Sequence, residues 1–408
     1  MPRRDDVAVT GIGLLTPAGC DAETNWKTLT VGRSVAVTDP ELAGLPVDMS
    51  CRVPSFDAAA ELGPRLAHRL DRFAHLGVVA ARRAVDDAGL KMSDCRSERV
   101  GVILGVGSNS LVTYVREFTR LGEGRPRNVS PLALPRSVPN MVAGEIAIDL
   151  GARGPNFTVS SACASGATAL GVARALLLGD GCDVVLAGGT ESGSRMTAAC
   201  FAQMRALSTR TDRPALASRP FDRERDGFVL GEGAAVLVLE RPDHARARGA
   251  TIRALLCGYG ASADACHPTA PHPEGAGAEQ AVRQALADAG REPHHIGHVN
   301  AHGTSTQVGD AAEARALRRV FGAAQPVVTA VKSVIGHSLG AAGAIEAALT
   351  VLALERQEVP PTANLGDQDP GPELDIVTAR PRPVTFDHAL STSLGFGGQN
   401  AALVFAHP

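Results

Sequence analysis

Apolar and polar positions along the chain fall into alternating short runs and helically spaced stretches. Val7 to Leu15 is an apolar run with a glycine turn and predicts a strand, and a helix begins within Thr24 to Leu29. Leu66 to Ala88 carries apolar residues at helical spacing, Val100 to Val106 reads as a buried strand, Ala162 to Leu178 as a helix, and Cys182 to Thr190 again as a strand. A polar loop, Asp222 to Gly233, feeds a strand at Ala234 to Glu240. After Arg241-Pro-Asp the pattern restarts. Strands are predicted at Ile252–Gly258, Ile296–Asn300 and Val327–Val331, with helices at Ala278–Ala289, Ala311–Phe321 and Ala341–Leu354.

This alternation predicts an α/β layered fold with a mostly parallel sheet. At 408 residues the chain exceeds what one core usually organises, so two halves are expected, 1–250 and 251–408. Their similar strand and helix order suggests an old duplication.

Composition narrows the class. Hydrophobic residues make up 44% and charged residues 20%, as in globular proteins, and an aromatic share of 3% means that any pocket is lined mainly by aliphatic side chains. A net charge of −3 without runs of like charge argues against nucleic acid as a partner. Met1-Pro-Arg-Arg-Asp-Asp-Val7 contains no apolar leader, and the alanine-rich helices are interrupted by Arg, Gly or Glu too early to span a bilayer. A cytoplasmic protein with no membrane contact is expected. The eight cysteines show no Cys-x-x-Cys spacing, so neither a metal site nor a disulfide framework is suggested. Gly11-x-Gly13 lacks the third glycine and the distal acid of a dinucleotide fingerprint and reads as a turn for close strand packing.

The candidate chemistry lies in Thr158-Val-Ser-Ser-Ala-Cys-Ala-Ser-Gly166, where Cys163 follows a β-branched stretch and precedes an apolar helix. A thiol at a helix N-terminus is expected to favour the thiolate. Taken alone, a cysteine before a helix more often serves packing than catalysis, but Ala162, Ala164, Ser165 and Gly166 leave this one reachable and shift the balance toward catalysis. Downstream, His302 in Asn-Ala-His-Gly-Thr-Ser-Thr and His337 in Ile-Gly-His-Ser-Leu-Gly each sit near a strand end. Two histidines in matching contexts beyond a candidate thiol favour a Cys/His/His site over two isolated hydrogen-bonding residues. Of 40 basic residues only Lys27, Lys91 and Lys332 are lysines, so Lys332, five positions before His337, points to a need for a compact ammonium. Glu313 and Glu346, on the helices after each histidine, are its candidate partners or else solvated surface residues. Phe396, among the glycines of Ser391-Thr-Ser-Leu-Gly-Phe-Gly-Gly-Gln-Asn400, reads as a mobile aromatic gate.

Together, Ala162-Cys-Ala-Ser-Gly166, Asn300-Ala-His-Gly-Thr-Ser-Thr306, Lys332-Ser-Val-Ile-Gly-His337 and Gly395-Phe-Gly-Gly398 resemble the β-ketoacyl-acyl carrier protein synthases, specifically the elongating synthase II type and its type II polyketide relatives. The resemblance covers essentially the whole chain and implies a thiolase-like αβαβα fold of two similar halves. It implies that Cys163 takes up an acyl chain, with backbone N–H groups of Cys163 and Phe396 holding the oxyanion. His302 and His337 would then stabilise the enolate formed when a malonyl thioester loses carbon dioxide. Lys332 and Glu313 would orient His302, Glu346 would support them, and Thr304 and Thr306 would hold the pantetheine arm. Phe228, Phe201, Gly397 and Gly398 would contact substrate, and Arg65, Arg69 and Arg205 would dock an acidic acyl carrier protein. No cofactor is implied beyond the carrier's phosphopantetheine arm. The implied assembly is a homodimer or a heterodimer with a chain-length-factor subunit.

The non-catalytic chain-length factors commonly replace the cysteine by glutamine, so Cys163 argues against that reading. Thiolases and hydroxymethylglutaryl-type enzymes lack this pairing of histidine motifs. Leu394 stands where the family usually has phenylalanine and Gln399 where fatty-acid synthases commonly have threonine. With the arginine-rich composition, this leads to the expectation of a bacterial type II polyketide ketosynthase subunit, the alternative being a housekeeping fatty-acid elongation enzyme.

Overall fold

The computed structural model describes residues 6–108, 111–369 and 371–408; the leaderless start read at residues 1–5 lies outside them. Ten strands form one sheet: β1 (Val7–Leu15), β2 (Val100–Gly105), β3 (Asn156–Val159), β4 (Val184–Glu191), β5 (Gly233–Glu240), β6 (Ala254–Ala263), β7 (Ile296–Asn300), β8 (Val327–Thr329), β9 (His388–Gly395) and β10 (Gln399–Ala406). Their spatial order is β8-β7-β9-β10-β6-β1-β5-β4-β2-β3. Numbered within each set of five, both sets run 3-2-4-5-1, and they meet where Val7–Val9 pairs antiparallel with Ala254–Leu256. The sheet is mixed, not mostly parallel. Five of its nine strand pairings are antiparallel, because β1, β5, β6 and β10 return beside their neighbours.

Helices cover both faces, which is why the strands are nearly continuous apolar runs. In β4 the alternation of side chains divides the core. Val184 and Leu186 pack with the helix α1 (Arg72–Asp87) and with Val142 and Ile146 of α2 (Asn140–Leu150), whereas Val185 and Ala187 pack with α3 (Ser165–Leu178). In the second half, Leu390 and Val404 meet α4 (Ala276–Ala289) and α5 (Gln307–Phe321), while Ala389 and Leu403 face α6 (Ala342–Arg356). α3 and α6 form the central layer of an αβαβα sandwich. They cross at two glycines: a Cβ on Gly166 would lie 2.6 Å from Ala344 N, and one on Gly343 would lie 2.8 Å from Ala167 N.

Local departures from the sequence expectation have local causes. The stretch from Leu66 is two helices, Pro64–Arg69 and Arg72–Asp87, because Leu70 and Asp71 adopt extended backbone between them. The helix expected from Ala162 begins at Ser165. Ahead of it, Ala162–Ala164 forms a 3-10 turn entered through Ala162 at φ 49°. α6 is preceded by the same device, a 3-10 turn Leu339–Ala341 entered at φ 48°.

Candidate active site

Cys163 lies in the turn that opens α3, His302 follows β7, and His337 precedes the turn that opens α6. These three elements converge on one cavity, which all three side chains line. Phe201, Phe228, Thr304, Thr306 and Phe396 also line it. The imidazoles of His302 and His337 stand edge to face with centroids 5.4 Å apart, and Phe228 packs edge-on to His337 at 5.2 Å. The Phe201 ring lies 5.2 Å from that of Phe228 and 5.9 Å from that of Phe396, centroid to centroid, so Phe396 packs against the wall of the cavity.

The second tier is buried. Lys332, 1% exposed, places Nζ 3.2 Å from His302 Nδ1 and 2.7 Å from the His302 carbonyl, and pairs with Glu346. Glu313 accepts the backbone N–H groups of His302 and Gly303, both at 2.8 Å. Neither glutamate is a solvated surface residue: they are 2% and 1% exposed. Glu313 therefore holds the His302 loop by its backbone N–H groups, whereas Lys332 reaches both the ring and the carbonyl of His302.

Charge states follow from burial. Both histidines are held well below the usual imidazole range, first by desolvation and then by the Lys332 charge. Lys332 can only donate, so His302 Nδ1 is an acceptor. His337 Nδ1 accepts the Leu339 N–H at 3.3 Å. Both rings thus carry their proton on Nε2. The expectation of a thiolate at Cys163 fails. Burial pushes the thiol up to about 11, outweighing the Lys332 charge and the Phe396 N–H that favour the anion. Burial likewise raises Glu346 to about 7 against its lysine.

Gly397 and Gly398 do not line the cavity. They follow Phe396 in the chain and are tied to the segment after β6 by Gly397 N–H to Pro268 O at 2.7 Å and Asp264 N–H to Gly398 O at 2.8 Å. Arg65, Arg69 and Arg205 are all exposed; Arg69 pairs with Glu145, and Arg205 precedes the cavity-lining Ala206. Sequence reasoning missed Thr392, which donates to Glu313 at 2.6 Å and accepts the His302 N–H at 3.1 Å. It also missed Asp310, which accepts the N–H of Phe221 and of Ser305. Only the position of Asp310 in the first turn of a helix could have signalled it. Among the described residues no group of three or more His, Cys, Asp or Glu side chains is placed to hold a metal ion.

A thiol and two neutral imidazoles lining one largely apolar cavity are suited to acyl transfer followed by stabilisation of an enolate. Comparison with known proteins agrees. Residues 4–245 match the beta-ketoacyl synthase N-terminal domain and residues 253–366 the beta-ketoacyl synthase C-terminal domain. The chain belongs to the β-ketoacyl synthase family. This synthase is 43% identical over 406 residues to 3-oxoacyl-[acyl-carrier-protein] synthase 2 of Vibrio harveyi, covering 98% of each chain. It is 42% identical to the enzyme of the same name from Synechocystis, covering 98% of this chain and 97% of that one. Among solved structures, it matches the ishigamide ketosynthase/chain length factor with a TM-score of 0.92 at 34% identity, covering 100% of both chains. It matches a type II PKS acyl-carrier protein in complex with its ketosynthase with a TM-score of 0.91 at 29% identity, again over 100% of both. The fold is thiolase-like, and the protein is a 3-oxoacyl-[acyl-carrier-protein] synthase, an acyltransferase that condenses acyl chains. No helix among its described residues is long and apolar enough to cross a membrane.

Proposed function

We propose that this synthase elongates acyl chains held on an acyl carrier protein by decarboxylative condensation, in the manner of a fatty-acid synthase II. The observation that carries the chemistry is the meeting of the Cys163 thiol with two neutral imidazoles in one cavity. In the first step Cys163 Sγ attacks the acyl thioester, its proton passes to the departing pantetheine sulfur, and N–H groups of Cys163 and Phe396 hold the oxyanion. A malonyl thioester then enters along Thr304 and Thr306. Loss of carbon dioxide leaves its electron pair as an enolate, whose oxygen takes hydrogen bonds from Nε2–H of His302 and His337. The enolate carbon attacks the acyl-Cys163 carbonyl and expels the thiolate. With a pKa of about 11, that thiolate takes up one proton and resets the site. Each histidine supplies about 3–4 kcal/mol, so removing either slows condensation by roughly 10²- to 10³-fold.

The 40–43% identity to proteins named 3-oxoacyl-[acyl-carrier-protein] synthase 2 favours fatty-acid elongation over the polyketide expectation. The second reading, a type II polyketide ketosynthase subunit, draws on full-length similarity to such structures at 29–34% identity. For either, we take residues 1–250 and 251–408 as the two halves, and Arg65, Arg69 and Arg205 as the docking face for an acidic carrier. A paired assembly is supported by the helix Leu111–Gly122, which exposes Val112, Val115, Phe118 and Leu121, and by the edge strand β3 with exposed Phe157. The partner is a second copy or a chain-length-factor subunit.

The test is intact mass after exposure to carrier proteins bearing short saturated, long saturated and poly-unsaturated or polyketide chains, with Cys163→Ala as control. An adduct absent from the control supports the assignment, and its chain preference separates the two pathways. No adduct with any chain, alone or with a co-expressed partner subunit, sinks it.

A further inference from the structure

Glu191 ends β4 and is 1% exposed, yet it is not one of the groups placed in the reaction above. Its Oε2 accepts the N–H groups of Gly107 at 2.8 Å, Ser108 at 3.1 Å and Gly340 at 3.3 Å, and its Oε1 accepts the Ser108 hydroxyl at 3.0 Å. Gly340 lies in the 3-10 turn that follows His337, beside the Leu339 N–H that fixes the His337 tautomer. The backbones there touch without side chains between them. A Cβ on Gly340 would stand 2.1 Å from Gly107 N, and one on Gly189 would stand 2.8 Å from Gly340 O and 3.1 Å from Gly166 Cα. The segment after β2 and the His337 turn therefore meet at one buried carboxylate, with the start of the Cys163 helix packed against the same backbone at Gly189. Glu313 has the same relation to His302, accepting two consecutive N–H groups where β7 ends.

We propose that Glu191 is a positioning residue that holds the His337 turn, and so aims His337 Nε2 at the thioester oxygen, as Glu313 holds the loop of His302. This rests on the reading of His337 as a donor to that oxygen. The carboxylate acts by geometry: its three N–H donors all face Oε2, so an amide oxygen there can replace it, with the amide N–H₂ turned to the Ser108 hydroxyl. Removing or withdrawing the acceptor frees the turn, and a displacement of about 1 Å at a reacting group costs on the order of 100-fold in rate.

The experiment compares the full-length protein with Glu191→Gln, Glu191→Asp, Glu191→Ala and His337→Ala. It measures carbon dioxide release from malonyl carrier protein and acyl adduct formation at Cys163. Glu191→Asp and Glu191→Ala are expected to lose about 100-fold in carbon dioxide release while loading acyl chains within about threefold of the unmodified protein. Glu191→Gln is expected to match the unmodified protein in both. Should Glu191→Ala fail to fold, the Asp and Gln variants carry the comparison. Unchanged carbon dioxide release in the Asp variant, equal losses in both half-reactions, or a Gln variant as poor as the Asp variant would overturn the proposal while leaving the role of His337 intact. Undiminished release in His337→Ala would remove the reading of His337 itself, and the proposal with it.

Discussion

Lys332 Nζ donates to both His302 Nδ1 and the His302 carbonyl oxygen, at 3.2 and 2.7 Å, so one ammonium fixes the ring and the backbone of the same residue. It also contributes to the depressed basicity of that ring. In Lys332→Ala, His302 loses its orienting donor and Glu346 loses its cation. Malonyl decarboxylation is expected to slow by about 10², more than acyl transfer to Cys163. With the lysine charge gone, His302 gains basicity, so the acid limb of decarboxylation moves to higher pH. A pH profile of carbon dioxide release checks this; equal losses in both half-reactions and an unmoved limb would mean that Lys332 serves folding alone.

The raised pKa of Cys163 has a direct chemical readout. Because the thiol ionises near 11, alkylation by iodoacetamide at this residue should still be rising steeply at pH 9, with peptide mass spectrometry separating it from the exposed Cys200 and Cys266. A rate that levels off below pH 8 would show that the anion is stabilised after all.

His298, in β7, donates from Nδ1 to Val327 O at 2.9 Å, and its Nε2 is buried without a partner. Burial pushes it down to about 4, well below the ordinary imidazole value of 6.5. A group depressed on folding contributes stability above its unfolded pKa and loses it as the pH falls toward the folded one. The contribution, on the order of 3 kcal/mol, should disappear between about pH 6.5 and 4. Thermal melts across that window should show His298→Gln losing less than the unmodified protein. Parallel curves would remove His298 as a contributor.

The crossing of α3 and α6 depends on two missing side chains. A Cβ at Gly343 would meet Ser393 Oγ at 2.7 Å and Ala167 N at 2.8 Å, so Gly343→Ala must spread the central layer and should cost about 1–3 kcal/mol. Denaturant midpoints measure it. Because the same contact sets the turn of Cys163 against that of His337, activity should fall with stability, and a fully stable, fully active variant would show that the layers can shift freely.

By itself the sequence determined the alternation of strands and helices and the restart after Arg241, and it singled out Cys163, His302 and His337, which line one cavity. Those features are written in local pattern: apolar period, glycine-flanked strand ends, and a rare lysine in an arginine-rich chain. Tertiary structure alone decided which strands run antiparallel, where the Cys163 helix starts, and which carboxylates are buried. Thr392 and Glu313 are 79 positions apart, and Glu191 reaches Gly107 across 84 positions and Gly340 across 149, so no window of sequence contains both partners. The protonation of Cys163 was equally out of reach. A helix N-terminus argues for the thiolate from local geometry, but desolvation by the surrounding fold opposes it and is the larger effect.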